Sequence, residues 1–156
     1  SNKGLVEPIN DYLKRERPFL GICLGMQMIL DESHEFGIHK GLGLIPGKVL
    51  SISNKTSDVQ NCKIPHIGWN SIRPNKKIRN WQNTILKNTE EGGFVYFVHS
   101  YFALPDNEEN ILATCNYAGI DMCAVINNNN IYGCQFHPEK SGAVGISILN
   151  TFCNEL

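Results

Sequence analysis

The sequence lacks the features that mark membrane and nucleic-acid-binding chains. It contains no stretch of about 18 or more apolar residues, which is the length that crosses a bilayer, and no recognisable signal peptide. Its 14 basic and 15 acidic residues give a formal net charge of −1, and the basic residues form no dense run. We therefore expect no nucleic-acid partner and no membrane association, and we expect a small-molecule ligand.

Paired cysteines are missing as well. The six cysteines, at positions 23, 62, 115, 123, 134 and 153, never occur as the C-x-x-C pair that is typical of zinc sites and redox centres. This predicts reduced thiols in the cytoplasm, without a disulfide framework or a structural zinc ion. A composition of 42% hydrophobic and 19% charged residues is that of an ordinary globular protein, and the length predicts a single domain over residues 1–156.

The stretch 18–30, PFLGICLGMQMIL, carries the first chemical signal. An apolar run at 19–22 leads into Cys23, and a helix-compatible segment follows with no polar loop between them. Glycines two residues before and two after Cys23 complete the spacing of a nucleophile elbow. A thiol at a helix N-terminus is expected to have a pKa below its usual value of about 8.5, and the N–H of Leu24 can face a developing oxyanion. Taken alone, the stretch fits a buried structural cysteine equally well.

The segment 135–142, QFHPEKSG, supplies what such a nucleophile needs. It follows an apolar strand and places His137 two residues before Glu139. A catalytic cysteine requires a base and a carboxylate that orients the base, and residues two apart at a strand end project to the same side. The two segments together predict a Cys23–His137–Glu139 triad. His99 is a rival base for Cys23, but no carboxylate follows it two residues later. In the absence of the elbow, the segment around His137 would indicate only a His-Pro turn at the surface.

The chain resembles the class I, triad-type glutamine amidotransferases in five blocks that run through most of its length. GICLGMQ at 21–27 and QFHPEKSG at 135–142 look like the two signatures of that family. GLGLIPGKV at 41–49, PHIGWN at 65–70 and YFVHSYF at 96–102 are similar, more narrowly, to the glutaminase subunits of imidazole glycerol phosphate synthases in histidine biosynthesis.

The resemblance implies a reaction and its participants. Cys23 would attack the side-chain carboxamide of glutamine, His137 would move the protons and Glu139 would orient His137. The products are glutamate and ammonia, and the ammonia would pass to a barrel-type synthase subunit. No metal or organic cofactor is expected.

The resemblance also assigns further residues. Leu24 would donate to the oxyanion, and Gln27 and Glu35 would bind the substrate together with the tripeptide His99, Ser100 and Tyr101. Four residues would surround the ammonia exit and face the partner: Trp69, Asn70, Tyr96 and Lys140.

The predicted fold is α/β, a three-layer sandwich with a mixed, mostly parallel central sheet and helices on both faces. The elbow should lie at the C-terminal end of a central parallel strand. Residues 54–62 are predicted to form an exposed hairpin tip, and residues 75–93 a polar connection with one short helix. Periodicity predicts helices over 4–16 and 143–154, strands over 48–53, 94–98, 111–117, 122–126 and 131–136, and an Asn-rich turn over 127–130.

Three alternatives stay open at this point. The chain could serve a sugar-modifying amidotransferase through a paralogous glutaminase activity, or it could be a cysteine hydrolase or peptidase of the same superfamily. In the family, a glycine-rich PGVG-like loop precedes the first helix, and this sequence does not contain it. We therefore expect the N-terminal region to be incomplete, which leaves a non-catalytic partner-binding protein as the third alternative.

Overall fold

The computed structural model describes residues 4–54, 62–78 and 80–155. In these ranges the chain forms the helices α1 (Val6–Leu13), α2 (Leu24–Ile29) and α3 (Gly142–Asn154). The strands are β1 (Phe19–Ile22), β2 (Glu32–Ser33), β3 (His39–Lys40), β4 (Gly47–Ser51), β5 (His66–Ser71), β6 (Arg73–Pro74), β7 (Phe94–His99), β8 (Tyr101–Pro105), β9 (Ile111–Tyr117), β10 (Ile120–Asn128) and β11 (Ile131–Cys134). Short 3₁₀ helices occur at Ile52–Asn54, Glu108–Asn110 and Pro138–Lys140.

The strands form three sheets. The largest has the order β1-β11-β10-β9-β6, the second β3-β2-β4-β8, and β5 and β7 form a two-stranded third sheet. The pairs β1–β11 and β2–β4 are parallel, and the other pairs in the described ranges are antiparallel. The α/β class with mixed sheets is therefore confirmed, although parallel pairing is less common than the sequence predicts. Among the described strands, β1 lies at a sheet edge and not at its centre.

Two buried clusters cover the two faces of the five-stranded sheet. The smaller cluster joins Met26 and Ile29 of α2 to Ile126 of β10 and to the four-stranded sheet. The larger one joins Ile148 of α3 to Phe97 of β7 and to the other face of β10 and β11. Helices thus pack on opposite faces, as predicted. None of the helices in the described part of the chain is long and apolar enough to span a membrane.

Two local predictions are wrong, and a third falls mostly outside the described residues. The apolar, aromatic run at 94–98 is typical of a strand buried on both faces. The strand forms, but it is buried on one face only: Val95 and Phe97 point inward, while Phe94 is 59% exposed. No helix forms among the described residues of 75–93, and this connection is anchored in the core by Trp81, Ile85 and Leu86. Residues 55–61 of the predicted hairpin tip lie outside the described residues, and Cys62, at its end, is buried.

The elbow depends on the close approach of α2 to β1. A Cβ atom on Gly21 would lie 2.5 Å from the carbonyl carbon and oxygen of Gly25, whereas a Cβ on Gly25 would meet nothing within 4 Å. Only the first glycine of the G-x-C-x-G spacing is thus required by packing. The second is free to carry a side chain.

We expect Gly21→Ala to lower the free energy of unfolding by about 1–3 kcal/mol or more, because the new methyl group would force the strand away from the helix. Gly25→Ala is the matched control and should be neutral or stabilising, since alanine favours a helix interior by up to about 1 kcal/mol. Denaturant unfolding measures both changes. Equal losses in the two variants would contradict this account of the elbow.

Candidate active site

Cys23 occupies a sharp turn between β1 and α2. Its backbone has φ 51° and ψ −107°, in the positive-φ region that side chains other than glycine seldom adopt. The backbone on both sides is held: the N–H of Cys23 donates to the carbonyl of Cys134 at 2.7 Å, and the N–H of Gln27 donates to the carbonyl of Cys23 at 3.2 Å. The side chain is neither fully buried nor fully exposed. The strand–turn–helix predicted around Cys23 is confirmed.

The electrostatics at Cys23 differ from the sequence prediction. Burial raises the pKa of the thiol above its usual value, and the negative charges of Glu139 and Glu35 raise it further. The N–H of Leu24 and the side chain of Gln135 donate to the sulfur and oppose that increase. The prediction of a lowered pKa is therefore wrong, because burial and the two carboxylates raise the pKa of the thiol more than the N–H at the helix start lowers it. The thiol needs a base to take its proton.

His137 and Glu139 form the second half of the predicted triad. Nδ1 of His137 lies 2.7 Å from Oε1 of Glu139, and the carboxylate accepts from the ring N–H. This assigns the proton of the neutral imidazole to Nδ1 and leaves Nε2 with its lone pair. The backbone N–H of His137 donates to the carbonyl of Tyr96 at 2.9 Å, which fixes the turn against β7. The spacing predicted from the sequence thus yields an oriented imidazole.

His99, the rival base, is engaged on both ring nitrogens. Nδ1 lies 2.8 Å from the carbonyl oxygen of Tyr101, and Nε2 lies 3.1 Å from Nδ1 of His66. A carbonyl only accepts, so His99 carries its proton on Nδ1 and accepts from His66 at Nε2. Burial lowers the pKa of both imidazoles to about 4; His99 adds to the decrease at His66, and the hydrogen bond to Tyr101 opposes it at His99. This arrangement favours His137 as the base.

A cavity of about 210 Å³ opens beside the start of α2. Gln27 and Glu35, two of the predicted substrate-binding residues, line it together with Leu24. The volume is below the roughly 300–1,000 Å³ of pockets for drug-sized ligands and suits a ligand of amino-acid size. Residues 99–101 do not line this cavity. The full lining is Leu24, Gln27, Met28, Ser33, Glu35, His39, Lys40 and Gly41.

Gln27 is not a solvated residue of α2. It is 6% exposed, and its Nε2 donates to the carbonyl of Tyr101 at 3.0 Å and to Oε1 of Gln135 at 3.2 Å. Nε2 of Gln135 in turn lies 3.8 Å from Sγ of Cys23. Gln135 is itself fully buried. Two amides therefore connect the backbone of β8 to the nucleophile.

The residues predicted to face a partner do not all share one surface. Trp69 and Tyr96 meet edge to face on the outer side of the β5–β7 sheet, with ring centroids 6.1 Å apart, and Trp69 is 55% exposed. Lys140 is exposed at the end of the 3₁₀ turn that follows His137. Asn70 belongs to the opposite side of its strand, and its Nδ2 donates to the carbonyl of Asn116 at 2.8 Å. Asn70 thus joins β5 to β9.

Sequence reasoning missed two residues that hold the site. Gln135 contacts the nucleophile, and Ser141 supports the base: its Oγ donates to the carbonyl of His137 at 2.6 Å and accepts from the N–H of Tyr96 at 2.9 Å. Both lie inside the QFHPEKSG block, so their position in the motif was the available signal. Within the ranges that the structure describes, no three His, Cys, Asp or Glu side chains are grouped so as to hold a metal ion.

Comparison with known proteins identifies the family that this chain matches. The model of the class-I glutamine amidotransferases matches residues 1–156. Imidazole glycerol phosphate synthase subunit HisH 1 of Legionella pneumophila (strain Lens) is 52% identical, over 96% of this chain and 70% of the relative. The HisH subunit of Geobacter sulfurreducens is 47% identical, over 96% of this chain and 69% of the relative.

Solved structures show the same fold. A glutamine amidotransferase from Thermotoga maritima matches with a TM-score of 0.60 at 20% identity, over 95% of this chain and 51% of that chain. Another solved glutamine amidotransferase matches with a TM-score of 0.60 at 10% identity, over 96% of this chain and 68% of that chain. The chain thus spans about half of the first structure and about two-thirds of the second.

Proposed function

The chain belongs to the class I glutamine amidotransferases, and on that premise we propose that it is the glutaminase subunit of an imidazole glycerol phosphate synthase. In this role it hydrolyses glutamine to glutamate and ammonia and passes the ammonia to a barrel-type synthase subunit. The observation that carries the proposal is the elbow cysteine together with the His137–Glu139 pair, each in the matching family motif. The relatives named as HisH subunits support the assignment to an imidazole glycerol phosphate synthase. The cytoplasmic location and the single domain remain predictions.

The geometry supports a stepwise mechanism. Nε2 of His137 takes the thiol proton as Sγ of Cys23 attacks the carboxamide carbon, because burial keeps the free thiol protonated. The N–H of Leu24 stabilises the oxyanion that forms. The intermediate collapses to a thioester, and the imidazolium of His137 protonates the departing ammonia. Water then attacks the thioester with His137 as the base, which releases glutamate and restores the thiol.

The proposed substrate interactions follow from the charges around the cavity. Glutamine carries an α-ammonium group, and Glu35 places a carboxylate in the cavity wall. We assign the α-carboxylate end of glutamine to the backbone of residues 99–101, which lie beyond the cavity lining and are joined to it by the hydrogen bond from Gln27 to the carbonyl of Tyr101. Recognition of both charged ends restricts the site to a free amino acid.

We expect the outer face of the β5–β7 sheet to contact the synthase subunit. In the assembled pair, Trp69→Ala should reduce the glutamine-dependent formation of imidazole glycerol phosphate by about tenfold or more, as exposed aromatic residues often dominate interfaces. Glutamate release by the isolated glutaminase should change much less. Lys140→Ala should likewise reduce glutamine-dependent product formation more than it reduces glutamate release.

The control for this experiment is Leu5→Ala, which removes a side chain of similar exposure, 59% against 55% for Trp69, just before α1. It should leave both readouts unchanged. Ammonia supplied directly to the synthase subunit should support product formation with every variant. Equal loss of glutamate release and of product formation in the Trp69 variant would show that this residue serves the glutaminase core. Absence of glutamine-dependent product in the unmodified pair would overturn the proposed function.

A further inference from the structure

Two buried glutamines form a directed hydrogen-bond chain that ends at the nucleophile. The carbonyl of Tyr101 accepts from Nε2 of Gln27, Oε1 of Gln135 accepts from the same Nε2, and Nε2 of Gln135 faces Sγ of Cys23. Both glutamines are less than one-tenth exposed. A buried side-chain amide needs hydrogen-bond partners, and a partner that is a reactive atom is affected by the hydrogen bond that it accepts. Here the last contact is the reacting sulfur.

The direction of the chain is determined by one backbone atom. The carbonyl of Tyr101 has no proton to donate, so the group of Gln27 that faces it must be the NH₂. The second hydrogen of that NH₂ points at Gln135, which must therefore present its oxygen to Gln27. This leaves the NH₂ of Gln135 for Cys23. If the amide of Gln135 were reversed, two NH₂ groups would face each other and an oxygen would face the sulfur.

We propose that Gln135 is a catalytic residue whose amide stabilises the thiolate of Cys23, and that Gln27 is a positioning residue that orients Gln135 toward the sulfur. The proposal deepens the proposed function, on which its catalytic meaning rests. It adds a role for Gln135 and gives Gln27 a role that does not require contact with the substrate. A donor at the sulfur favours the anion and weakens the effect of the carboxylates that oppose it.

Two carboxylates and one backbone N–H also affect the pKa of the Cys23 thiol. Glu139, in the 3₁₀ turn after His137, and Glu35, in the loop after β2, disfavour the thiolate by their charge. The N–H of Leu24 favours it. Gln135 is the side-chain donor that offsets these carboxylates, and a fully buried donor is not replaced by bulk water when it is removed.

The test measures the pH dependence of Cys23 alkylation by iodoacetamide, with the modified peptide quantified by mass spectrometry because the exposed Cys153 also reacts. Gln135→Met should raise the apparent pKa of Cys23 by about one unit and slow alkylation at pH 7.5 by about tenfold. Gln27→Met should give a smaller slowing, about threefold. In the double variant the rate should equal that of Gln135→Met alone, because Gln27 acts through Gln135.

Gln82→Met, an exposed Gln-to-Met change, is the control and should leave the titration of Cys23 unchanged. If Gln135→Met does not fold, Gln135→Asn keeps the amide but retracts it by one methylene, and should shift the pKa in the same direction. An unchanged pKa in a folded Gln135 variant would overturn the proposal. So would an effect of Gln27→Met that persists in the Gln135→Met background. Since the assay needs no glutamine, its outcome is independent of whether the protein is a glutaminase.

Discussion

Replacing Cys23 by alanine is expected to reduce glutamine hydrolysis by on the order of 10⁶-fold, the loss found when a triad loses its nucleophile. The chain should remain folded, because the alanine keeps the backbone contacts that hold the turn, including the donation to the carbonyl of Cys134. Glutamate release in the presence of the synthase subunit measures the activity, and thermal unfolding verifies the fold. Turnover that persists in this variant would remove Cys23 from the mechanism.

A glutamine-like electrophile offers an independent measurement of the same assignment. It should label Cys23 and no other cysteine, because Cys23 directly precedes Leu24, which lines the cavity of about 210 Å³. Cys153 is exposed and should react with simple alkylating agents without selectivity. Burial raises the pKa of Cys115 to about 12, which makes it a poor nucleophile at neutral pH. Selective labelling of Cys62 or Cys115 would contradict the elbow assignment.

His137→Asn should reduce the maximal rate by about 10⁴-fold or more, because the rival base His99 is engaged on both ring nitrogens. Glu139→Gln should cost less, about 10²- to 10⁴-fold, since its amide oxygen still accepts from Nδ1 of His137 but no longer stabilises the imidazolium by charge. Steady-state rates of glutamate release over a range of pH measure both effects. The variant at Glu139 should lower the rate more than it changes KM.

The chain provides its own matched control for this experiment. His34 and Glu32 are also two residues apart, with Nε2 of His34 2.9 Å from Oε1 of Glu32 and similar exposure of the two side chains. His34→Asn removes an equivalent histidine–carboxylate hydrogen bond next to β2 and should leave the rate near that of the unmodified protein. A comparable rate loss in this variant would mean that histidine–glutamate pairs contribute here through stability and not through chemistry.

The parts of the site that the sequence predicts are those encoded locally. An apolar strand that runs into a cysteine between two glycines specifies the elbow, and a two-residue spacing specifies the His137–Glu139 contact. The state of the thiol is not local, because it depends on burial and on carboxylates more than ten and more than a hundred residues away. For the same reason the role of Gln135 could not be predicted. The orientation of its amide is determined only when Tyr101, Gln27 and Gln135, which are distant in the sequence, come together in the fold.

The exposed face of the β5–β7 sheet likewise could not be predicted from local sequence alone. The aromatic run at 94–98 indicates a strand, but the number of faces that are covered depends on which strand pairs with it. Because β7 pairs with β5 in a separate sheet, one face of this run stays partly exposed and becomes available for a partner.

The buried pair of imidazoles also couples folding to the proton concentration. In the folded chain the pKa values of His66 and His99 are about 4, whereas an unfolded histidine titrates near 6.5. Between these values the unfolded chain binds protons that the folded chain does not, so acidification from pH 6.5 toward 4 shifts the equilibrium toward unfolding. Below pH 4 both states are protonated and the loss is complete; above pH 6.5 the pair contributes no pH dependence. Because a protonated His99 carries a hydrogen on Nε2 and can no longer accept from Nδ1 of His66, protonation would weaken first the contact between β5 and β7.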